Sequence, residues 1–125
     1  MKAISVRQPF AHMILCVEKE YEYRTWSTDY RGELLICSSA SPKVAGTKSG
    51  YALCIVNITD VSRVTWRNFR KFGLDTPPLI KEKLYAWKLE DVRVVDPFPV
   101  KGKLNFYYVD DELIHVKKNK SEQEH

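Results

Sequence analysis

Residues 18–24 read Glu-Lys-Glu-Tyr-Glu-Tyr-Arg, the densest polar run in the chain. Carboxylates and cations this close together can hold an anion, read the donor and acceptor edge of a flat heterocycle, or pass protons in a hydrolysis. In an extended strand side chains alternate, so Glu20, Glu22, Arg24 and Trp26 share one face while Tyr21, Tyr23 and Thr25 share the other. Lys19 has the wrong parity to join Glu22 and Arg24 on a regular strand; it converges on them only from a turn that precedes it. Two readings stay open: a solvated edge strand, and the wall of a pocket. In a pocket Glu22 is expected to keep the Lys19 ammonium charged. Lys19 would then grip a phosphate, carboxylate or carbonyl oxygen. Were the protein an enzyme, Lys19 and Glu22 would be its catalytic pair, Glu22 activating water and Lys19 stabilising the oxyanion. Arg24 pairs with Glu22 or forks onto a phosphate.

Other residue types could complete a site for nucleic acid. Single strands are held by rings that stack on bases beside a basic groove. Trp26 follows the charged run on its own face and is the stacking candidate. Trp87, in a late apolar strand, packs in the core or touches a ligand, whereas Trp66 and Phe69 are expected in the core. Arg31, Lys101 and Lys103 flank tight turns within reach of phosphates. Arg7 and Gln8 open a helix whose first N–H groups could face an anion, although Gln8 also reads as a simple cap. Ser38 and Ser39 end a strand and could bond a base edge. The sequence has no Cys-x-x-Cys, no His-x-x-x-His and no acidic cluster patterned for a metal. No bound metal or cofactor is therefore expected.

The elements that carry these residues follow from periodicity. Residues 1–6 read as a strand, and Phe10, Met13, Ile14 and Val17 recur at helical spacing. Strands are expected over 20–26, 33–37, 51–61, 84–95 (bent near Asp91) and 104–109. Residues 38–50, rich in Ser, Lys, Gly and Pro, form a loop. Residues 65–72 predict a short helix with Trp66, Phe69 and Phe72 inward, ended by Gly73. Five or six strands with two or three short helices make a mostly β (α+β) chain. A closed or partly closed barrel is favoured because it removes exposed edges; an open sheet with helices on one face is the alternative. The 125 residues are expected to be one domain over 1–116 with a polar, frayed tail over 117–125.

Charge is uneven. Residues 63–103 hold ten basic and five acidic side chains, against seven and six in 1–62 and three and five in 104–125. A basic middle segment fits an anionic partner. No apolar run is long enough to span a membrane, and Lys2, Arg7 and Pro9 interrupt any signal-peptide core. Cys16, Cys37 and Cys54 all sit in apolar stretches and read as buried, reduced thiols. A cytoplasmic protein, monomeric by default, is the expectation.

Several segments together resemble the ASCH family, a branch of the PUA-like superfamily. They are Ile-Ser-Val-Arg-Gln-Pro-Phe-Ala at 4–11, Val-Glu-Lys-Glu-Tyr-Glu-Tyr-Arg at 17–24, the Tyr30-Arg31-Gly32 turn with the strand after it, and Tyr-Ala-Trp-Lys-Leu-Glu at 85–90 followed by Pro-Val-Lys-Gly-Lys at 99–103. The family run is a Gly, then Lys, two residues, Glu, one residue, Arg. Lys19, Glu22 and Arg24 match it, while the Gly is replaced by Val17 (or Cys16). The resemblance implies a small PUA-like β-barrel with a cleft beside the triad, bordered by the helix at Arg7 and Gln8 and suited to a nucleobase or nucleotide. It implies RNA or a modified nucleoside as partner. It also leaves open an N4-acetylcytidine amidohydrolase, a ribonuclease, or a protein-interaction domain of the coactivator type. In the amidohydrolase branch a Thr stands where this chain has Glu22, so that activity does not carry over directly.

Overall fold

A computed structural model describes residues 1–79 and 81–118. Six strands form one sheet: β1 (Lys2–Val6), β2 (Tyr21–Arg24), β3 (Gly32–Ser38), β4 (Tyr51–Arg63), β5 (Tyr85–Pro99) and β6 (Tyr107–Tyr108), with helix α1 (Phe10–Leu15) and 3-10 turns at Phe69–Phe72 and Asp111–Leu113. Their order across the sheet is β2-β5-β4-β3-β1-β6. Only β1 and β3 run parallel; the other neighbours are antiparallel.

The strands bury both faces of the middle of the sheet. On β3, Leu34 and Ile36 point into one cluster with Ile4, Val6, Ala11, Ile14 and Trp87. Leu35 and Cys37 point into the opposite cluster with Ala3, Ile55, Val95 and Tyr107. A strand covered on both sides has no polar alternation, which is why Leu34–Cys37 reads as an unbroken apolar run after the exposed Glu33. Helix α1 is short, but Ala11 and Ile14 are fully buried and anchor it on the first cluster.

The expected barrel does not close through hydrogen bonds: β2 and β6 remain the two edges of the sheet. The β6 strand is two residues long, where 104–109 was expected, and cannot reach β2. The sheet nonetheless curls. Arg24 on β2 donates to the Ser5 carbonyl on β1 over 2.7 Å, although three strands separate them in the order. Rings fill the gap in place of backbone: Trp26 meets Phe106 at 5.1 Å and Trp87 at 4.7 Å, both edge to face.

Curvature enters at bulges. Ile55 pairs with Arg93 and Asn57 with Glu90, so Asp91 and Val92 together oppose Val56. Asp91 takes the left-handed conformation, φ 57°, where the bend was expected. Residues 65–72 depart from expectation. Asn68 bonds the Thr65 amide and the Arg63 carbonyl with its side chain, while the Asn68 and Phe69 amides donate to the Thr65 carbonyl over 3.2 and 3.0 Å, so one capped turn opens the segment. A single 3-10 turn follows and buries Phe72, while Trp66 is left 68% exposed. Lys117 pairs with Val94, so the frayed tail does not begin there; residues 119–125 lie outside those described.

Candidate functional site

The turn after α1 delivers the first site residue. The Val17 amide donates to the Ile14 carbonyl over 3.0 Å and the Glu18 amide to Met13 over 2.8 Å, the paired bonds of a Schellman ending. That motif needs a left-handed residue, and here it is Val17, φ 59°. The Lys19 amide also bonds Met13 over 3.2 Å. Strand β2 starts only at Tyr21, so Lys19 comes from the turn and is free of strand parity.

Three charges then converge. Lys19 Nζ lies 3.8 Å from one Glu22 oxygen and Arg24 Nη2 lies 3.1 Å from the other. Glu22 is only 8% exposed. Because β2 is an edge, Lys19 also reaches over it, with its ammonium 4.1 Å from the centre of the Tyr23 ring. The triad lines a cleft of about 450 Å³ with Ser5, Val6, Arg7, Phe10, Tyr23 and Leu74, within the size range of small-molecule sites. A second cleft of about 480 Å³ shares Phe10, Lys19, Tyr23 and Leu74 with it and adds Arg70 and Lys71. A third, of about 540 Å³, shares Ser5, Arg7 and Arg24 and adds Ser39 and Lys103. Together they form one trough with the triad at its middle.

Burial sets the electrostatics. The Lys19 pKa lies below the ordinary lysine value because desolvation outweighs the pull of Glu22, and Arg24 adds to the lowering. This corrects the expectation that Glu22 dominates: a lysine this covered loses more hydration than one carboxylate returns. Tyr23 is pushed up, first by burial and then by Glu22, and its hydroxyl donates to the Phe72 carbonyl. Arg24 Nε is buried without a hydrogen-bond partner among the described residues. Among those residues no group of three His, Cys, Asp or Glu could hold a metal ion.

A model of the ASCH domain matches residues 4–101. The chain belongs to the ASCH domain family. The ASCH protein of Zymomonas mobilis superposes on it with a TM-score of 0.65 at 14% identity, covering 89% of this chain and 88% of that one. Two point mutants of that protein give 0.66 at 13% identity, covering 89% of this chain and 91% and 89% of theirs. At such identity the likeness shows the fold alone. No curated protein matches the chain.

In this ASCH domain the structure sorts the expected site residues. Lys19, Glu22 and Arg24 meet; Arg7 is exposed at the rim of two clefts and Lys103 lines the third. Ser38 is buried, its hydroxyl bonded to both backbone groups of Tyr51, and Ser39 takes the place in the cleft. Gln8 is buried too. It accepts from the His12 amide and donates to the Lys48 carbonyl, tying loop 39–50 to α1 instead of facing an anion. Trp87 is fully buried, and Trp26 and Phe106 surround it; its ring meets other rings, not a ligand. Trp26 belongs to the same cluster and lines none of these three clefts. Arg31 is turned onto the Thr28 and Tyr30 carbonyls, and Lys101 stands outside the trough. Tyr23 shares the strand face of Tyr21, against Phe72 and Ala86, as parity places it, and still lines the cleft of Glu22 because β2 is an edge strand. Ser5, Phe10 and Leu74 had no sequence signal; Arg70 and Lys71 had the basic segment as theirs. Cys16 is exposed, not buried, 3.4 Å from His12 Nε2. Cys37 and Cys54 are buried, and burial pushes their thiols up to about 11 and about 12.

Proposed function

We propose that this ASCH domain binds a nucleobase in the central cleft, as a free nucleoside or within RNA. The observation that carries the reading is Glu22, a nearly buried carboxylate held between Lys19 and Arg24 on the wall of a 450 Å³ cleft. A nucleobase is flat and carries donors and acceptors on one edge. Glu22 accepts from an exocyclic amine or ring N–H, while Lys19 or Arg24 donates to a base carbonyl or to a phosphate. Phe10, Tyr23, Val6 and Leu74 cover the apolar faces. The curled sheet supports the PUA-like reading of the fold. The buried free thiols fit a reducing, cytoplasmic setting.

The test is an amide NMR titration with a nucleoside set that includes cytidine and N4-acetylcytidine, with product analysed in the same tubes. Shifts confined to residues 5–7, 19–24 and 74 are expected. Absence of any shift with every nucleoside and with a short RNA refutes the reading.

One observation favours a second reading, a hydrolase. The lowered Lys19 pKa makes that ammonium a stronger hydrogen-bond donor than an exposed lysine's. With Glu22 taking the proton of an attacking water, Lys19 donating to the carbonyl oxygen and Glu22 then passing that proton to the departing N4 nitrogen as the C–N bond breaks, N4-acetylcytidine would part into acetate and cytidine. Turnover of N4-acetylcytidine that is lost in Glu22→Gln supports this reading, and no turnover at high protein concentration removes it.

A further inference from the structure

We propose that residues 63–71 form a second contact site, in which Trp66 stacks a base and Arg67, Arg70 and Lys71 hold phosphates of a single RNA strand. The inference rests on the reading that the central cleft takes a base, and it makes an oligonucleotide, not a free nucleoside, the full ligand.

The segment from Ser62 to Leu74 carries Arg63, Arg67, Arg70 and Lys71 and no acidic residue. Each cation lies over a ring: Arg67 is 5.1 Å from the Trp66 ring, Arg70 is 5.3 Å from Phe69, Lys71 is 5.7 Å from Phe72, and Arg63 is 5.6 Å from Tyr85. Among the described residues none of the four pairs with a carboxylate, so no ion pair there offsets their charge. Trp66 has no place in any of the three hydrophobic clusters and is 68% exposed. A large exposed ring with a guanidinium against it, inside a cationic segment, is the arrangement that receives an unstacked base.

Position connects this surface to the triad. Arg70 and Lys71 line the cleft that shares Lys19 and Tyr23 with the central one. Trp66 precedes Arg70 by four residues, at most roughly 14 Å of extended chain. A strand with one base beside Glu22 can run its backbone over Lys71 and Arg70 and lay a neighbouring base on Trp66. A duplex cannot, since its bases are already stacked on both faces. Glu18 and Glu20 rim the same cleft and repel phosphate as they would an anionic lipid surface, so the RNA backbone has to keep to the Arg70 and Lys71 side.

The experiment uses the full chain and a fluorescein-labelled single-stranded RNA of about ten nucleotides, a length within one module's usual site. Anisotropy gives the RNA affinity, and cytidine binding is followed by NMR in parallel. Trp66→Ala should weaken RNA binding about tenfold, Trp66→Phe should retain most of it, and both should bind cytidine like the parent. The pair Arg67→Ala with Arg70→Ala should lower the slope of log K against log salt by about 1.4, roughly 0.7 per lost phosphate contact. Unchanged RNA affinity in Trp66→Ala, with cytidine still bound, overturns the second site and leaves the cleft reading standing. Equal affinity for duplex RNA overturns the stacking assignment. Trp66-dependent binding to phosphatidylserine vesicles without RNA binding overturns the choice of ligand. Failure of the parent to bind either cytidine or RNA refutes the cleft reading itself.

Discussion

Val17 occupies a position that asks for glycine, and replacing it tests the account of the turn before the triad. An L-residue in the left-handed region is strained by about 1–2 kcal/mol, toward the upper end for a β-branched side chain. Val17→Gly removes that strain. Against it stand about 0.5–1 kcal/mol of extra freedom in the unfolded chain and roughly 0.5 kcal/mol of lost packing, small because Val17 is 64% exposed. The net is a gain of about 0.5–1 kcal/mol, or a rise in Tm of about 2–4 °C at this chain length. Val17→Ala loses the same packing and keeps most of the strain, so it should gain nothing. Thermal unfolding by circular dichroism, with urea midpoints as a second measure, separates the two. The bonds from Glu18 and Lys19 to Met13 do not involve the Val17 side chain, and nucleoside affinity should be unchanged. A Val17→Gly protein less stable than Val17→Ala would show that the extra freedom of the unfolded chain outweighs the backbone strain, since both variants lose the same packing, and the argument would fail.

Three further outcomes are expected. Glu22→Ala leaves Lys19 and Arg24 facing each other without a counter-charge, and should lose about 2 kcal/mol in urea unfolding and lower the Lys19 pKa further, read by NMR titration of its side chain. Gly102→Ala would set its Cβ 2.5 Å from Ser5 Oγ, breaking the 2.7 Å bond from Ser5 to Tyr107; a loss of about 1 kcal/mol is expected, most of it absent when Ser5→Ala is already present. Alkaline pH should destabilise the fold through Cys37 and Cys54. Both thiols hold their protons in the folded state to about 11 and about 12, against 9.0 ordinarily, so their contribution is intact below pH 9 and is lost as pH rises through the folded values. Each removes up to about 1.4 kcal/mol per pH unit in that window. Lys19, with a lowered pKa, works in the opposite direction as a single group. Urea midpoints between pH 8 and pH 10.5 should fall, and fall less steeply in Cys54→Ala; a flat profile contradicts the assignment.

Much of the frame was legible because it rests on local rules. The apolar run at 34–37, the helical spacing of Phe10 and Ile14 and the bend at Asp91 all appear where periodicity and turn chemistry place them. Parity kept Lys19 off the face of Glu22 on a regular strand and left edge strand and pocket wall both open; the family resemblance implied the cleft, and the turn before β2 is what brings Lys19 to Glu22. What was not legible depends on contacts distant in sequence. The curl that brings Arg24 to Ser5 and the ring cluster around Trp87 depend on pairing between the chain's two ends. Trp66 was misplaced because it stands in a capped turn that runs into a 3-10 turn, so Trp66, Phe69 and Phe72 do not share one face of a regular α-helix. Ser38 and Ser39 illustrate the smallest failure: one residue of offset decides which hydroxyl bonds the Tyr51 backbone and which faces the cleft.

The place of β1 in the sheet has a consequence for biosynthesis. Of the six strands it leaves the ribosome first, yet its neighbours are β3 and β6, with Ala3 opposite Leu35 and Lys2 opposite Tyr108. The nascent chain therefore carries β1 without its second partner until almost the whole domain has emerged, a topology of long sequence separations that folds slowly. Ser5 and Val6, which wall the cleft, belong to that waiting strand. The strand that walls the pocket thus gains its second neighbour only with β6, and a ribosome-bound fragment ending before residue 107 presents β1 as an unpaired edge open to other chains.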